Sequence, residues 1–161
     1  TAGDVEMKIV DAAGKTVRTI DAGAMTEGVN AVTWDGKDDA GNVVTAGAYT
    51  NSIAGATATM LIDIDSSRDV LAVQNPPNDG TLASIGALNV NVEGDVGMDI
   101  AGGANGLVLA ALRLSAGGPT SLYRVDLTTG AAVLINGAAN PALSAIGTSA
   151  TGLRDIAIAI K

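Results

Sequence analysis

The chain has 161 residues, a net charge of −8 and neither cysteine nor histidine. These counts exclude disulfides, thiolate nucleophiles, zinc sites built from Cys and His, and acid–base catalysis by histidine. The excess of acidic side chains would repel phosphate groups, so neither nucleic acid nor an anionic membrane surface is an expected partner. Apolar runs such as residues 107–112 are too short to cross a bilayer, so no membrane insertion is expected.

Taken in chain order, short β-prone segments alternate with Gly, Asn, Asp and Pro, which predicts an all-β chain without long helices. Val5, Met7 and Ile9 face one side of the first strand, with Glu6 and Lys8 between them. The further predicted strands are 16–20, 29–34, 48–53, 57–65, 70–74, 81–85, 97–101, 107–114, 121–126, 131–135 and 155–160. Residues 66–69 are predicted to form the turn after the fifth strand.

The core must be built without phenylalanine, which the sequence lacks. Val, Ile, Leu and Met are therefore expected to fill it. Aromatic side chains bury large areas, so the single tryptophan, Trp34, is predicted to be the main core anchor of the first part.

An internal repeat is visible in the second part of the chain. Residues 61–65 recur as 122–126, and Ile85-Gly86 recurs as Ile146-Gly147 at the same spacing. Asp99-Ile100-Ala101 recurs as residues 155–157 at a slightly shorter spacing. Two such units are too few to close a propeller ring, so a propeller-derived second part would be a fragment, assemble with other chains, or fold differently.

The predicted fold class is all-β, with antiparallel sheets in two regions. A sandwich-like first part, residues 1–56, is joined to a two-unit propeller-type repeat, residues 57–161. The two parts either have separate cores or form a single domain with one shared core.

The first part resembles the immunoglobulin-like domain of the flagellar hook-capping protein, a hook-assembly scaffold, over residues 5–53. The matching residues are 5–20, Gly28-Val29-Asn30, Trp34-Asp35-Gly36-Lys37-Asp38-Asp39-Ala40-Gly41-Asn42 and Ala46-Gly47-Ala48-Tyr49. The family's opening strands are missing, and Val32 stands where the family often has Phe. The resemblance implies a β-sandwich with a scaffolding role and no catalytic residues.

The second part, residues 61–160, resembles the repeats of a bacterial family of unknown function. The matching residues are Asn75-Pro76-Pro77-Asn78-Asp79-Gly80-Thr81-Leu82, Gly97-Met98-Asp99-Ile100, 122–130 and Asp155-Ile156-Ala157-Ile158. This resemblance implies an exported, propeller-like protein, with an extracellular or periplasmic location. Because the two resemblances point to different families, a chimeric or designed chain is a further hypothesis.

Two groups of acidic residues are candidate calcium sites, because calcium binds several oxygen ligands. The first group is Asp35, Asp38, Asp39 and Asn42, whose spacing departs from the EF-hand pattern and favours a polar turn. The second group is Asp63, Asp65, Ser67 and Asp69, which could gather three carboxylates; the competing interpretation is a polar strand edge followed by a turn.

Two further patterns are interpreted as structural. Asp99 and Asp155 could suggest a pair of catalytic carboxylates, but they occupy equivalent repeat positions. The Gly-rich residues 102–106 precede a strand and not a helix, so they lack the helix N-terminus of a phosphate loop.

The sequence therefore predicts no catalytic residue, no cofactor and no metal ligand. The expected function is that of a non-catalytic structural or scaffold-like domain, which contacts a protein partner or associates with itself. The alternatives are a calcium-stabilised extracellular binding or adhesion module, and a designed or chimeric protein without an evolved function.

Overall fold

The computed structural model describes residues 3–10, 14–32, 37, 39, 41, 43–103, 106–114, 118–137, 144–146 and 153–159. Over these residues the chain is all-β, with one short 3-10 helix at Pro77–Asp79. The strands are β1 Gly3–Val10, β2 Thr16–Met25, β3 Val44–Tyr49, β4 Leu61–Asp65, β5 Val70–Gln74, β6 Leu82–Ala87, β7 Gly97–Ile100, β8 Val108–Arg113, β9 Thr120–Val125 and β10 Ala132–Leu134.

The strands form three antiparallel sheets, and none of these closes into a barrel over the described ranges. Strands β1 and β2 form a two-stranded hairpin. The other two sheets have four strands each, in the orders β3-β4-β5-β6 and β7-β8-β9-β10. Each four-stranded sheet therefore follows the chain without a crossover, and the predicted all-β, antiparallel fold class is confirmed.

Most predicted strands are found within two or three residues of their expected bounds, and the turn at residues 66–69 is confirmed. The strand expected at 48–53 lies earlier, at Val44–Tyr49. Asn51 has a positive φ of 51°, and the Thr50 hydroxyl accepts a hydrogen bond from Met60 N at 2.9 Å, so the chain already turns here. No strand is assigned at residues 29–32 or 153–159, which corrects two predictions.

One core lies between the two four-stranded sheets. Alternate side chains of both sheets enter it, because successive residues of a strand face opposite sides. The largest contributions from β4 and β5 are Ile62, Ile64 and Leu71, all at most 2 % exposed. The second sheet contributes Met98, Ile100, Val108, Ala110, Leu112, Tyr123, Val125 and Ala132. Aliphatic side chains thus dominate this core, as expected, while Trp34 lies outside the described residues.

Strand β4 pairs with β3 on one side and with β5 on the other. Strand β3 belongs to the predicted first part and β5 to the predicted second part. The hydrogen-bonded sheet therefore runs across residue 56. The division of the chain at that residue remains a prediction.

The two matched segments of the predicted repeat lie at different positions in their sheets. Residues 61–65 form the second strand of their sheet, whereas the matched residues 122–126 coincide with the third strand of the other sheet. By position in the sheet, β4 corresponds to β8 and β5 to β9. The matched segments therefore hold different positions in their sheets, although Asp65 and Asp126 each accept a hydrogen bond from the backbone N–H two residues later. The repeat remains a prediction.

The two four-stranded sheets meet closely at β6 and the turn before β10. A Cβ atom on Gly86 would overlap the carbonyl oxygen of Thr129, so only glycine fits there. Next to this contact, Ala132 N donates a hydrogen bond to Leu88 O at 3.0 Å. Backbone-to-backbone contact thus fixes the position of one sheet relative to the other.

Candidate assembly surface

The β1–β2 hairpin is the most exposed element of the fold. Of the strands that the structure describes, β1 and β2 pair only with each other, from Gly3 opposite Met25 to Val10 opposite Thr16. Val5 is 41 % exposed and Val10 is 52 % exposed, although both are apolar. A two-stranded hairpin is marginally stable by itself in water, so further contacts along this hairpin would stabilise it.

The outer edge of β2 is already occupied. Asp39 N donates a hydrogen bond to Val17 O at 3.1 Å, and Thr19 N donates one to Asp39 Oδ1 at 3.0 Å. Arg18 Nη1 lies 3.9 Å from the same carboxylate oxygen. Asp39, which was weighed as a calcium ligand, therefore fastens its loop to the hairpin. The other members of that group, Asp35, Asp38 and Asn42, lie outside the described residues.

Among the described strands, none covers the outer edge of β1. Thr19 lies opposite Lys8, and its backbone N–H points away from β1 toward Asp39. Thr19 and Lys8 therefore form a non-hydrogen-bonded pair. In such a pair the backbone N–H and C=O of both residues point away from the partner strand, so those of Lys8 point away from β2. The pairing has no bulge between Glu6 and Lys8. Because these residues are two apart in the strand, the backbone N–H and C=O of Glu6 also point away from β2. In the part of the chain that the structure describes, no strand pairs with this edge.

Opposite charges line this open edge. The Lys8 ammonium lies 3.0 Å from Glu6 Oε1, and both side chains are 56 % exposed. The alternation of β1 is visible in the sequence, but nothing in the sequence marks Glu6 and Lys8 as residues of an open edge. The sequence does not show that Asp39 binds the outer edge of β2, and this contact leaves the outer edge of β1 as the one available for pairing among the described strands.

The second group of acidic residues is buried. Asp63 is 2 % exposed and Asp65 is fully buried, because β4 is an inner strand and not a strand edge. The predicted polar edge is therefore wrong. Each carboxylate has one buried oxygen, Oδ2, that accepts no hydrogen bond from the residues the structure describes, although Asp65 Oδ2 lies 4.0 Å from Arg68 Nη1. Burial without compensating hydrogen bonds raises the pKa of Asp63 to about 6.

The Oδ1 atoms of Asp65 and Asp69 accept hydrogen bonds at or near the turn after β4. Asp65 Oδ1 accepts hydrogen bonds from Ser67 N at 3.0 Å and from Ser67 Oγ at 2.5 Å. Asp69 Oδ1 accepts one from Val92 N at 2.7 Å. The described residues contain no group of three or more acidic side chains arranged to share a cation. The turn interpretation thus accounts for the bonds of Asp65 Oδ1, whereas Asp69 Oδ1 joins the turn to the distant residue Val92.

Asp99 and Asp155, weighed as a catalytic pair, differ in their surroundings. Asp99 Oδ1 accepts a hydrogen bond from Ile100 N at 2.9 Å, and Oδ2 accepts one from Ile158 N at 2.6 Å. The Asp155 side chain is exposed, and its backbone lies against Gly97. Asp99 therefore ties residues 153–159 to the face of β7.

A cavity of about 420 Å³ lies at the end of β9 and is lined in part by Arg124, Asp126, Thr128 and Val133. Asp126 Oδ1 accepts hydrogen bonds from Thr128 N and Thr129 N, and these bonds lower the pKa of Asp126. Arg124 Nη2 donates to Gly106 O at 3.2 Å. The main charged groups of the cavity thus already bind the protein's own backbone.

Comparison with known families assigns the chain. A family model described as "Domain of unknown function (DUF4394)" matches residues 6–147. The chain belongs to the DUF4394 family. The match begins in β1 and extends past β10, so this DUF4394 domain includes both segments that the sequence had suggested belong to different families. A bacterial family of unknown function was expected over 61–160, and the observed match begins much earlier.

The searches with this chain found no matching curated protein and no matching solved structure. The resemblance of residues 5–53 to the hook-capping protein therefore stays a prediction. Among the residues described, no helix is long and apolar enough to span a membrane.

Proposed function

We propose that this DUF4394 domain is a non-catalytic structural module that assembles with protein chains through its β1–β2 hairpin. The observation that carries this proposal is the open edge of β1. A strand edge with unpaired N–H and C=O groups is a ready template for pairing with another strand. Strand addition of this kind derives its affinity from backbone hydrogen bonds and its specificity from alternate side chains.

The shape of the molecule supports this role. The two four-stranded sheets share one buried core and contact each other at Gly86, so they form the packed part of the domain. The hairpin lies outside that core and is tied to the chain through Asp39. The resemblance of residues 5–53 to a hook-assembly scaffold agrees with an assembly role, and an exported location is part of the same proposal.

Sedimentation velocity and amide hydrogen exchange together test the function. The chain is expected to associate as its concentration rises from micromolar to millimolar, and the amides of Glu6 and Lys8 are expected to become protected in parallel. Amides of β5 serve as the control, because that strand is already paired on both sides. A chain that remains monomeric, with unchanged exchange in β1, would contradict self-assembly through the hairpin.

A second candidate function is that of a calcium-stabilised binding module, supported by the buried Oδ2 atom of Asp63, which accepts no hydrogen bond from the described residues. The Oδ2 atom of Asp65 is also buried and has Arg68 Nη1 at 4.0 Å. A ligand that binds only the folded state raises the melting temperature. Under this candidate, millimolar calcium would raise the melting temperature and magnesium would not, and Asp63→Asn would abolish the increase. Equal melting temperatures with and without calcium would exclude it.

A further inference from the structure

We propose that β1 pairs antiparallel with β1 of a second copy of this chain, with the two Met7 residues directly opposite each other. This inference rests on the proposed assembly function and names the partner and the register. It produces a continuous four-stranded sheet in the order β2-β1-β1-β2, related by a two-fold axis through the Met7 pair. Such two-fold pairing is the commonest symmetry of protein oligomers.

The side chains of β1 are self-complementary in this register. Around Met7 the sequence reads Val-Glu-Met-Lys-Ile, residues 5–9. Pairing two copies about Met7 places Glu6 of each copy opposite Lys8 of the other, and Val5 opposite Ile9. Opposite charges and apolar residues at directly opposed positions stabilise a sheet, whereas like charges destabilise it.

Neighbouring registers lack this complementarity. A two-fold axis at Glu6 would place the two Glu6 carboxylates opposite each other, and an axis at Lys8 would oppose the two ammonium groups. An axis at Val5 would place Asp4 opposite Glu6. Of these registers, only the one centred on Met7 pairs Glu6 and Lys8 with opposite charges.

The backbone geometry supports the same register. The outward N–H and C=O groups of β1 belong to Glu6 and Lys8, as deduced from the bond between Thr19 and Asp39. In the proposed register Glu6 and Lys8 of opposite copies form hydrogen-bonded pairs, so each pair exchanges two N–H···O=C bonds. The same residues that present free backbone groups therefore carry the matching charges.

The hairpin itself leaves Glu6 in need of a second positive neighbour. Across the hairpin, Glu6 lies opposite Asp21, which also carries a negative charge. Lys8 of the same strand lies next to Glu6 on one side only. Lys8 of the second copy would lie on the open side of Glu6 and offset the repulsion from Asp21.

Charge reversal tests the register. Glu6→Lys alone and Lys8→Glu alone each place like charges opposite each other at both pairs, and each is expected to weaken self-association at least about tenfold. The double variant Glu6→Lys/Lys8→Glu restores opposite charges and is expected to associate like the wild-type chain. An equimolar mixture of the two single variants is expected to form a mixed dimer, since each then supplies the charges that the other lacks.

A cysteine cross-link tests the position of the axis, and the natural chain has no cysteine to interfere. In this register the two Met7 residues form a non-hydrogen-bonded pair with Cα atoms about 4.5 Å apart, which is within the range that a disulfide spans. Met7→Cys is therefore expected to give a disulfide-linked dimer on mild oxidation. Ile9→Cys is the matched control, because its Cα atoms would be about 13 Å apart.

The outcomes separate this inference from the function on which it rests. If the wild-type chain associates but neither single reversal weakens association, or if Ile9→Cys cross-links as readily as Met7→Cys, the register is wrong while the assembly function stands. If the wild-type chain is monomeric at millimolar concentration, both self-assembly and the register are overturned. Unchanged thermal unfolding of the single variants would show that weaker association is not a result of misfolding.

Discussion

The carboxylate of Asp63 on β4 occupies the space that Gly47 leaves free on the neighbouring strand β3. The two residues are directly opposite each other in the sheet, and a Cβ atom on Gly47 would overlap Asp63 Oδ1. The absence of a side chain at Gly47 thus allows an acidic group to be buried inside a sheet. The buried position of Asp63 depends on a glycine that lies sixteen residues earlier in the chain.

Gly47→Ala should destabilise the fold by roughly 1–3 kcal/mol, the usual cost of overpacking a well-packed site. Urea unfolding measures this change. In the background Asp63→Ala the cost of Gly47→Ala should shrink, because the overlapping oxygen is gone and the two changes are not additive. Gly106→Ala is the control, since nothing in the described part of the chain lies within 4 Å of a Cβ there. Equal destabilisation by Gly47→Ala and Gly106→Ala would contradict the contact.

The free energy of unfolding should fall between pH 4 and pH 6 because Asp63 ionises in this interval. Burial raises the pKa of Asp63 to about 6 from an ordinary 3.8, so the folded state holds this proton to a higher pH than the unfolded state does. The contribution of Asp63 is therefore most favourable below about pH 4 and is lost as the pH rises toward 6. A difference of about two pKa units corresponds to roughly 3 kcal/mol.

Asp63→Asn removes this titration. The free energy of unfolding of the variant, relative to that of the wild-type chain, should rise by roughly 2–3 kcal/mol between pH 4 and pH 7. Urea unfolding at a series of pH values gives both curves. Curves that stay parallel over this interval would mean that Asp63 titrates normally in the folded state.

Residues 153–159 should be released from β7 when Asp99 is replaced. Asp99→Ala removes the acceptor for Ile158 N, and a hydrogen bond to a charged group contributes about 1.5–3 kcal/mol. Exchange of the Ile158 amide should therefore accelerate about tenfold or more. The control is Asp95→Ala, which breaks a partly exposed ion pair with Arg154 at 2.9 Å and should change the same amide less than about fivefold. A larger effect of Asp95→Ala would assign the anchoring to the ion pair.

Gly86→Ala should separate the two four-stranded sheets locally, because the added Cβ would meet the backbone carbonyl of Thr129, which cannot rotate away. The expected cost is about 1–3 kcal/mol in the free energy of unfolding. Ser84→Ala on the same strand is exposed and should change stability by less than about 0.5 kcal/mol. If the two variants unfold at the same urea concentration, the junction is looser than the structure indicates.

Sequence patterns located the strands well where turn residues bracket them. Strand β5 lies at the predicted residues 70–74, since an Asp-containing turn precedes it and two prolines follow it. Strand β3 was misplaced because Gly47 and its small neighbours carry little β signal, while the apolar Ile53 just beyond lies in a turn region.

The candidate surface was harder to predict for a physical reason. Alternation in β1 reveals a strand but not which edge remains open, since that depends on Asp39 binding β2 from a distant loop. The burial of Asp63 and Asp65 was missed in the same way. The alternation of Asp63 and Asp65 with Ile62 and Ile64 predicts that one face of β4 is exposed to solvent. The sequence does not show that β3 pairs with β4 and makes it an inner strand.

The strictly sequential order of the two four-stranded sheets bears on how the chain folds. Each strand of these sheets pairs with the next strand along the chain. Forming each sheet therefore requires closing only the loops between successive strands, and the chain entropy lost is that of these closures. Local pairing of this kind favours rapid folding relative to other β proteins of similar size. The contact between Gly86 and Thr129 joins residues from different sheets, so we expect it to form after the pairing within each sheet.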